Sequence, residues 1–301
     1  MTAFPIERMT YYYEIAGIHI RCEIPFPLTI TSESAPFLIS ECEPDLVFQF
    51  APVAALDLPD TGGVWMVNTC YYANEQGYTT YHCPIRGKMP YSRISWGKDT
   101  PGLLRCEYVS GMEHMLAYSR NLVELLELES LLLRNDGLLL HASFVRWEGS
   151  GILFSAPPGT GKSTQAALWE RYAGAEVING DRAALRFQEG AWVAWGLPYA
   201  GTSGIYRNDS APVAALVVLR QAKENRISAI SPSEAMRFLY PELTIHRWDS
   251  GFVSKAVDLF LNLTCRVPVY LLECLPDAGA VETLRERLFG KERLIDDTDS
   301  R

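Results

Sequence analysis

The sharpest chemical signal in the sequence is Gly159-Thr160-Gly161-Lys162-Ser163-Thr164, preceded by Pro158. An apolar run, residues 151–155, leads into this turn, and residues 162–172 read as a helix. Strand, glycine turn and helix in that order make a cradle for phosphate, the P-loop or Walker A pattern. Glycines let the backbone bend until several N–H groups face one anion. The helix N-terminus adds roughly half a positive charge. Lys162 can reach β- and γ-phosphates as a point charge, and the Ser163 hydroxyl can ligate Mg²⁺. The ligands called for are ATP and Mg²⁺, with Pro158, Gly159, Thr160, Gly161, Lys162, Ser163 and Thr164 as contacts. The usual pattern begins with glycine where this chain has Ala156, which is tolerable at negative φ.

A metal at the phosphates needs a carboxylate. The run Ala175-Glu-Val-Ile-Asn-Gly-Asp181 is an apolar strand with Asp181 past its C-terminal end, the edge at which open α/β sheets bind ligands. Asp181 is expected to hold Mg²⁺ directly or through water. His141 lies within Leu138-Leu-Leu-His141-Ala-Ser-Phe-Val145. It reads equally as a hydrogen-bonded core histidine or as a base facing the γ-phosphate. Arg182, Arg207 and Arg226, with Lys223 and Arg247, are candidate contacts for phosphate or substrate, and sequence does not choose among them. Residues 196–207, with three glycines, Thr202, Ser203 and Arg207, form a loop suited to the substrate side.

The elements that must position these groups change character along the chain. Residues 1–110 carry short aromatic or β-branched segments punctuated by Pro, Gly, Asn and Asp, so they read as β-rich. Residues 112–134 have a helical apolar period, and Asn135-Asp136-Gly137 stops it, with Gly137 suited to a left-handed cap. From Gly137 strands and helices alternate, with 138–146 as one strand, 183–187 and 192–195 paired, and helices at 231–239, 251–263 and 278–289. The expected division is a β-rich domain over residues 1–135, serving recognition or assembly, an ATP-binding domain over 136–290, and a polar tail over 291–301.

Composition narrows the class. The chain has 301 residues, 48% hydrophobic and 21% charged, enough for a sizeable core. Its net charge of −9 argues against nucleic acid as a partner. No apolar run approaches the roughly 18 residues of a membrane span. Met1-Thr-Ala-Phe-Pro-Ile-Glu-Arg8 lacks a basic start before an apolar stretch, so a cytoplasmic location is expected. Seven cysteines, an odd number without a Cys-x-x-Cys pair, read as reduced thiols.

His141, the loop around Lys162 and Asp181 on the next strand together resemble the kinase domain of HPr kinase/phosphorylase, a fold related to the ATP-dependent phosphoenolpyruvate carboxykinases. The resemblance covers about residues 138–289. It is nearest the divergent members found beside peptide-modification genes, including those that phosphorylate lasso-peptide precursors. It implies a mixed α/β (α+β) fold and assigns Mg²⁺ to Ser163 and Asp181. It matches His141 to a family histidine before the loop. The family commonly has two consecutive aspartates, whereas this chain has Gly180-Asp181, so the general base is either Asp181 or His141. The HPr-binding signature is missing, so HPr is not the expected acceptor. The leading expectation is a kinase placing the γ-phosphate of ATP on a serine or threonine of a peptide or small protein, with homo-oligomers left open. The alternatives are a small-metabolite kinase and a non-catalytic, nucleotide-gated binding module.

Overall fold

A computed structural model describes residues 8–74, 77–96, 100–199 and 201–290. The expected polar tail, 291–301, lies outside the described residues. The chain forms two compact units, Met1–Glu127 and Leu128–Arg301, each mixed in its own way, and the fold class is mixed α/β.

The first unit is built on one eight-stranded sheet. In chain order its strands are β1 (Met9–Ile15), β2 (Ile18–Ile24), β3 (Leu46–Val53), β4 (Val64–Met66), β5 (Thr69–Asn74), β6 (Gly77–His82), β7 (Ser92–Trp96) and β8 (Leu103–Val109). Their spatial order is β1-β2-β3-β8-β7-β6-β5-β4. The pairs β2–β3 and β3–β8 are parallel. Along β2 the residues Ile18, Ile20, Cys22 and Ile24 are buried and alternate with half-buried polar ones, the period of a sheet with one covered face. All seven cysteines are free thiols. Five of them are buried, and burial raises the thiol pKa of Cys22 and Cys106.

His82, at the end of β6, has its pKa pushed down to about 4 by burial. Its Nδ1 is 3.2 Å from Ser92 Oγ on β7. An unfolded histidine titrates near 6.5. Between pH ~6.5 and ~4 the unfolded state therefore binds more protons, so stability is lost as pH falls through that window. Urea unfolding should be easier at pH 4.5 than at pH 7, and His82→Gln should remove that share of the difference.

The segment 112–134 is not one helix. A single 3-10 turn, Glu113–Met115, is followed by α1 (Ser119–Leu125) and α2 (Leu128–Arg134). Glu127 between them has φ +48°, a left-handed conformation that ends the first helix. At the far end the left-handed residue is Asp136, at φ +53°, rather than Gly137. Gly137 instead lacks room for a side chain, because a Cβ there would lie 2.9 Å from the Leu185 carbonyl.

The second unit contains β9 (Gly137–Leu140), β10 (Ser143–Trp147), β11 (Ser150–Ser155), α3 (Lys162–Ala173), β12 (Glu176–Asn179), β13 (Ala183–Gln188), β14 (Ala191–Trp195), β15 (Ser210–Gln221), β16 (Arg226–Ala229), α4 (Pro232–Leu239), α5 (Ser250–Arg266), β17 (Val269–Cys274) and α6 (Ala278–Phe289). Its sheet runs β12-β10-β11-β15-β14-β13-β9, with β17 on β15 and β16 on β17. The strands β11, β15 and β17 are parallel. Leu153 of β11 packs with Phe260 and Leu263 of α5. Its neighbours Ile152 and Phe154 pack with Trp169 of α3 and Leu284 of α6. A strand buried on both faces is continuously apolar, which is how 151–155 reads. Capping is local: Ser231 and Glu234 close a capping box on α4, and Asp249 caps α5. Among the described residues no helix is long and apolar enough to cross a membrane.

The apolar stretch 138–146, expected as a single strand, is two strands. β9 pairs with β13, whereas β10 pairs with β11 and β12. The chain changes partner at His141-Ala142, so the histidine stands at a break in the ladder and not within a strand.

Candidate active site

The glycine turn is built as its residue types require. Gly159 and Gly161 have φ +78° and +121°, values that side chains rarely adopt. Ala156 is not among the residues of positive φ, so alanine in place of the usual glycine is unstrained. Gln221 of β15 donates from Nε2 to the Thr160 carbonyl at 3.3 Å, which braces the turn. Ser163 and Thr164 open the helix with exposed side chains. Lys162 is only 8% exposed, and its ammonium donates to the Ala156 carbonyl at 2.7 Å. Burial lowers its pKa, while the nearby Glu242 and Asp181 carboxylates pull it back up.

Asn179, the last residue of β12, is fully buried and organises the facing wall. Its Oδ1 accepts from the backbone N–H of Asp181 and of Arg182, at 2.9 and 3.0 Å. Its Nδ2 donates to the carbonyls of Leu197 and Tyr199, at 3.0 and 2.7 Å. All the usual bonding capacity of the amide is thus used. The turn it shapes projects Asp181 into the cleft. Asn179 escaped the sequence reading, although an asparagine just before Gly-Asp is an Asx-turn signal.

His141 joins the two walls. Its Nε2 is 3.6 Å from Asp181 Oδ1, and its Nδ1 is 2.9 Å from Glu242 Oε2. A carboxylate only accepts, so Nδ1 carries the hydrogen and Nε2 faces Asp181. Glu242 is held in register by main-chain pairing: its carbonyl accepts from the His141 N–H at 2.9 Å, and Leu140 bridges Leu243. Nothing local marks Glu242 in the sequence, because it lies 101 residues from its partner.

His141, Lys162, Ser163, Gly180, Asp181 and the glycines of the turn line one cleft of about 350 Å³, and Glu242 joins it through its bond to His141. The arginines divide. Arg182 lies beside Asp181, its Nε 3.6 Å from Oδ2, and stacks over Tyr199. Arg207 is exposed and is not among the residues that line the cleft. Arg226 is not brought to the cleft: it sits on β16 in a two-bonded pair with Glu273 of β17, at 2.6 and 3.0 Å. A second cavity of about 410 Å³ adjoins the turn beyond Thr164. Leu219, Ala222, Leu275 and Pro276 give it apolar walls, and Gln165 lies at its base.

The family described as SynChlorMet cassette protein ScmC matches residues 106–279, more than half of the chain. The chain belongs to this family. The matched span takes in His141, the glycine turn, Asp181 and Glu242, so the whole cleft lies within the ScmC region. No curated protein matches. Among solved structures, the Hpr(Ser) kinase/phosphatase from Coxiella burnetii is similar at 14% identity, with a TM-score of 0.29, over 54% of this chain and 99% of that chain.

Proposed function

We propose that this ScmC-family chain is an ATP- and Mg²⁺-dependent kinase that phosphorylates a serine or threonine hydroxyl of a peptide or small protein. The observation that carries the reading is one cleft that joins a glycine-turn lysine to a carboxylate–histidine–carboxylate chain. Phosphoryl transfer asks for positioning and charge neutralisation more than for covalent work. Backbone amides of the turn and Lys162 would bind the triphosphate. The apolar cavity beyond Thr164 would take the base. Ser163 and Asp181 offer hard oxygen donors of the kind Mg²⁺ prefers. Among the described residues no group of three or more His, Cys, Asp or Glu side chains is placed to hold a metal ion by itself, so phosphate oxygens would complete the set. Bound there, Mg²⁺ would offset charge on the β- and γ-oxygens. Asp181 or His141 would take the hydroxyl proton.

Glu242 would act through His141, fixing its tautomer and ring angle. Glu242→Gln keeps the shape but can donate as well as accept. The variant should lower kcat by roughly tenfold to a hundredfold with little change in KM for ATP. An unchanged kcat removes Glu242 from the mechanism.

The test is incubation with γ-labelled ATP, Mg²⁺ and the products of the neighbouring cassette genes, a ribosomal-peptide precursor first. Label in a peptide supports the reading. Label confined to a small metabolite would make this a metabolite kinase. Nucleotide binding without any transfer would make it a nucleotide-gated binding module, a reading favoured by Gly180 standing where a second carboxylate is expected.

A further inference from the structure

We infer that the chain phosphorylates its own Ser203, in cis; the inference rests on the phosphotransferase reading above. The 3-10 turn Gly201–Ser203 lies directly on Gly180-Asp181. A Cβ added to Gly180 would overlap the Ser203 side chain, and one added to Gly201 would come 2.9 Å from Asp181 Oδ1. The Ser203 side chain therefore fills the space that a side chain at position 180 would take, and Gly201 of the same turn packs against the Asp181 side chain. Gly180 and Asp181 themselves line the cleft with Lys162 and Ser163. A hydroxyl destined for the γ-phosphate must stand at this wall, next to the group that removes its proton.

The turn is held there from both sides. Asn179 Nδ2 binds the carbonyls of Leu197 and Tyr199 before it, and the Asn179 backbone bridges Tyr206 after it. Ser203 Oγ also accepts from the Ile205 N–H at 3.2 Å. Gly201 and Gly204 flank the serine at φ +51° and +65°, so the backbone reverses tightly on either side of it. A tethered hydroxyl held beside its base has the advantage of an intramolecular reactant. In the step, Ser203 Oγ attacks the γ-phosphorus of a nucleoside triphosphate. The Oγ–P bond forms and the bond from γ-phosphorus to the β-phosphate oxygen breaks. The nucleoside diphosphate leaves with that electron pair, and the serine proton passes to the Asp181 carboxylate.

The purified full chain, incubated with γ-labelled ATP and Mg²⁺ and no added peptide, should gain one phosphate. Phosphopeptide mapping should place it on Ser203. The initial rate per chain should hold constant over a roughly hundredfold dilution, as a cis reaction requires. Ser203→Ala should lower the label by roughly tenfold or more, and Ser203→Thr should give phosphothreonine at the same position. A rate per chain that rises with protein concentration overturns the cis assignment. Label on another residue, or none while a fluorescent ATP analogue binds in equilibrium titration, overturns the inference and leaves the cleft a nucleotide site. Failure of the analogue to bind overturns both.

Discussion

Lys162→Met should weaken binding of an ATP analogue by roughly thirtyfold to a thousandfold, the range for truncating one partner of a buried, hydrogen-bonded charge pair. The Lys162 side chain is almost wholly covered, yet its ammonium is satisfied by a single described hydrogen bond, to Ala156. Two carboxylates, Glu242 and Asp181, lie close enough to raise its pKa against the cost of burial. An ammonium so placed is preorganised for an incoming anion and has little rotamer freedom left to lose. Methionine keeps most of the volume and the apolar stem but none of the charge, so a loss of affinity reports electrostatics and not collapse of the turn. The sign of the pH effect follows. Because burial holds the Lys162 pKa below the ordinary lysine value, affinity should fall on the alkaline side earlier than for a solvated lysine. Equilibrium titration of the parent and variant from neutral to alkaline pH checks both statements. Equal affinity of the two proteins at neutral pH would place the triphosphate elsewhere.

How much of this was legible in the sequence depends on range. The turn is a local object, and Gly159, Gly161, Lys162 and Ser163 appear where their spacing puts them, between a strand buried on both faces and a helix. Asp181 follows from the next strand end for the same reason. His141 was visible as a polar residue in an apolar run, but its environment was not. The run 138–146 has one composition and two sheet partners, and periodicity carries no information on which ladder a strand joins. Glu242 and Ser203 are invisible locally, because each is set against a cleft residue far away in sequence, Glu242 against His141 and Ser203 against Gly180. The glycine at 180 reads as a missing carboxylate in the sequence. In the fold it is a site of close approach, where the neighbouring turn leaves no room for any side chain. The helix break at Glu127 was hidden for another reason. Its apolar neighbours continue the helical period on both sides, and the left-handed residue is a glutamate that no propensity scale would select.

Asp181→Asn should lower kcat by roughly 10²- to 10⁴-fold, the span attributed to general acid–base groups, and should alter metal-free nucleotide binding far less. Asparagine is nearly isosteric, so the backbone bonds from Asn179 that shape the turn should survive. The carboxylate, however, has two possible duties. If it takes the proton, the variant loses rate at every Mg²⁺ concentration. If it serves the metal, rate returns as Mg²⁺ is raised, because the defect is one of occupancy. His141 is the internal control. It stands 3.6 Å from Asp181 on one side and is tied to Glu242 on the other, so it can pass a proton on or accept it first. Should His141→Gln cost as much as Asp181→Asn, and the double variant cost no more than either, the two act as one unit. A loss in the histidine variant alone, with Asp181→Asn rescued by Mg²⁺, assigns the proton to His141 and the metal to Asp181. Full activity in Asp181→Asn at low Mg²⁺ would leave the carboxylate without either duty.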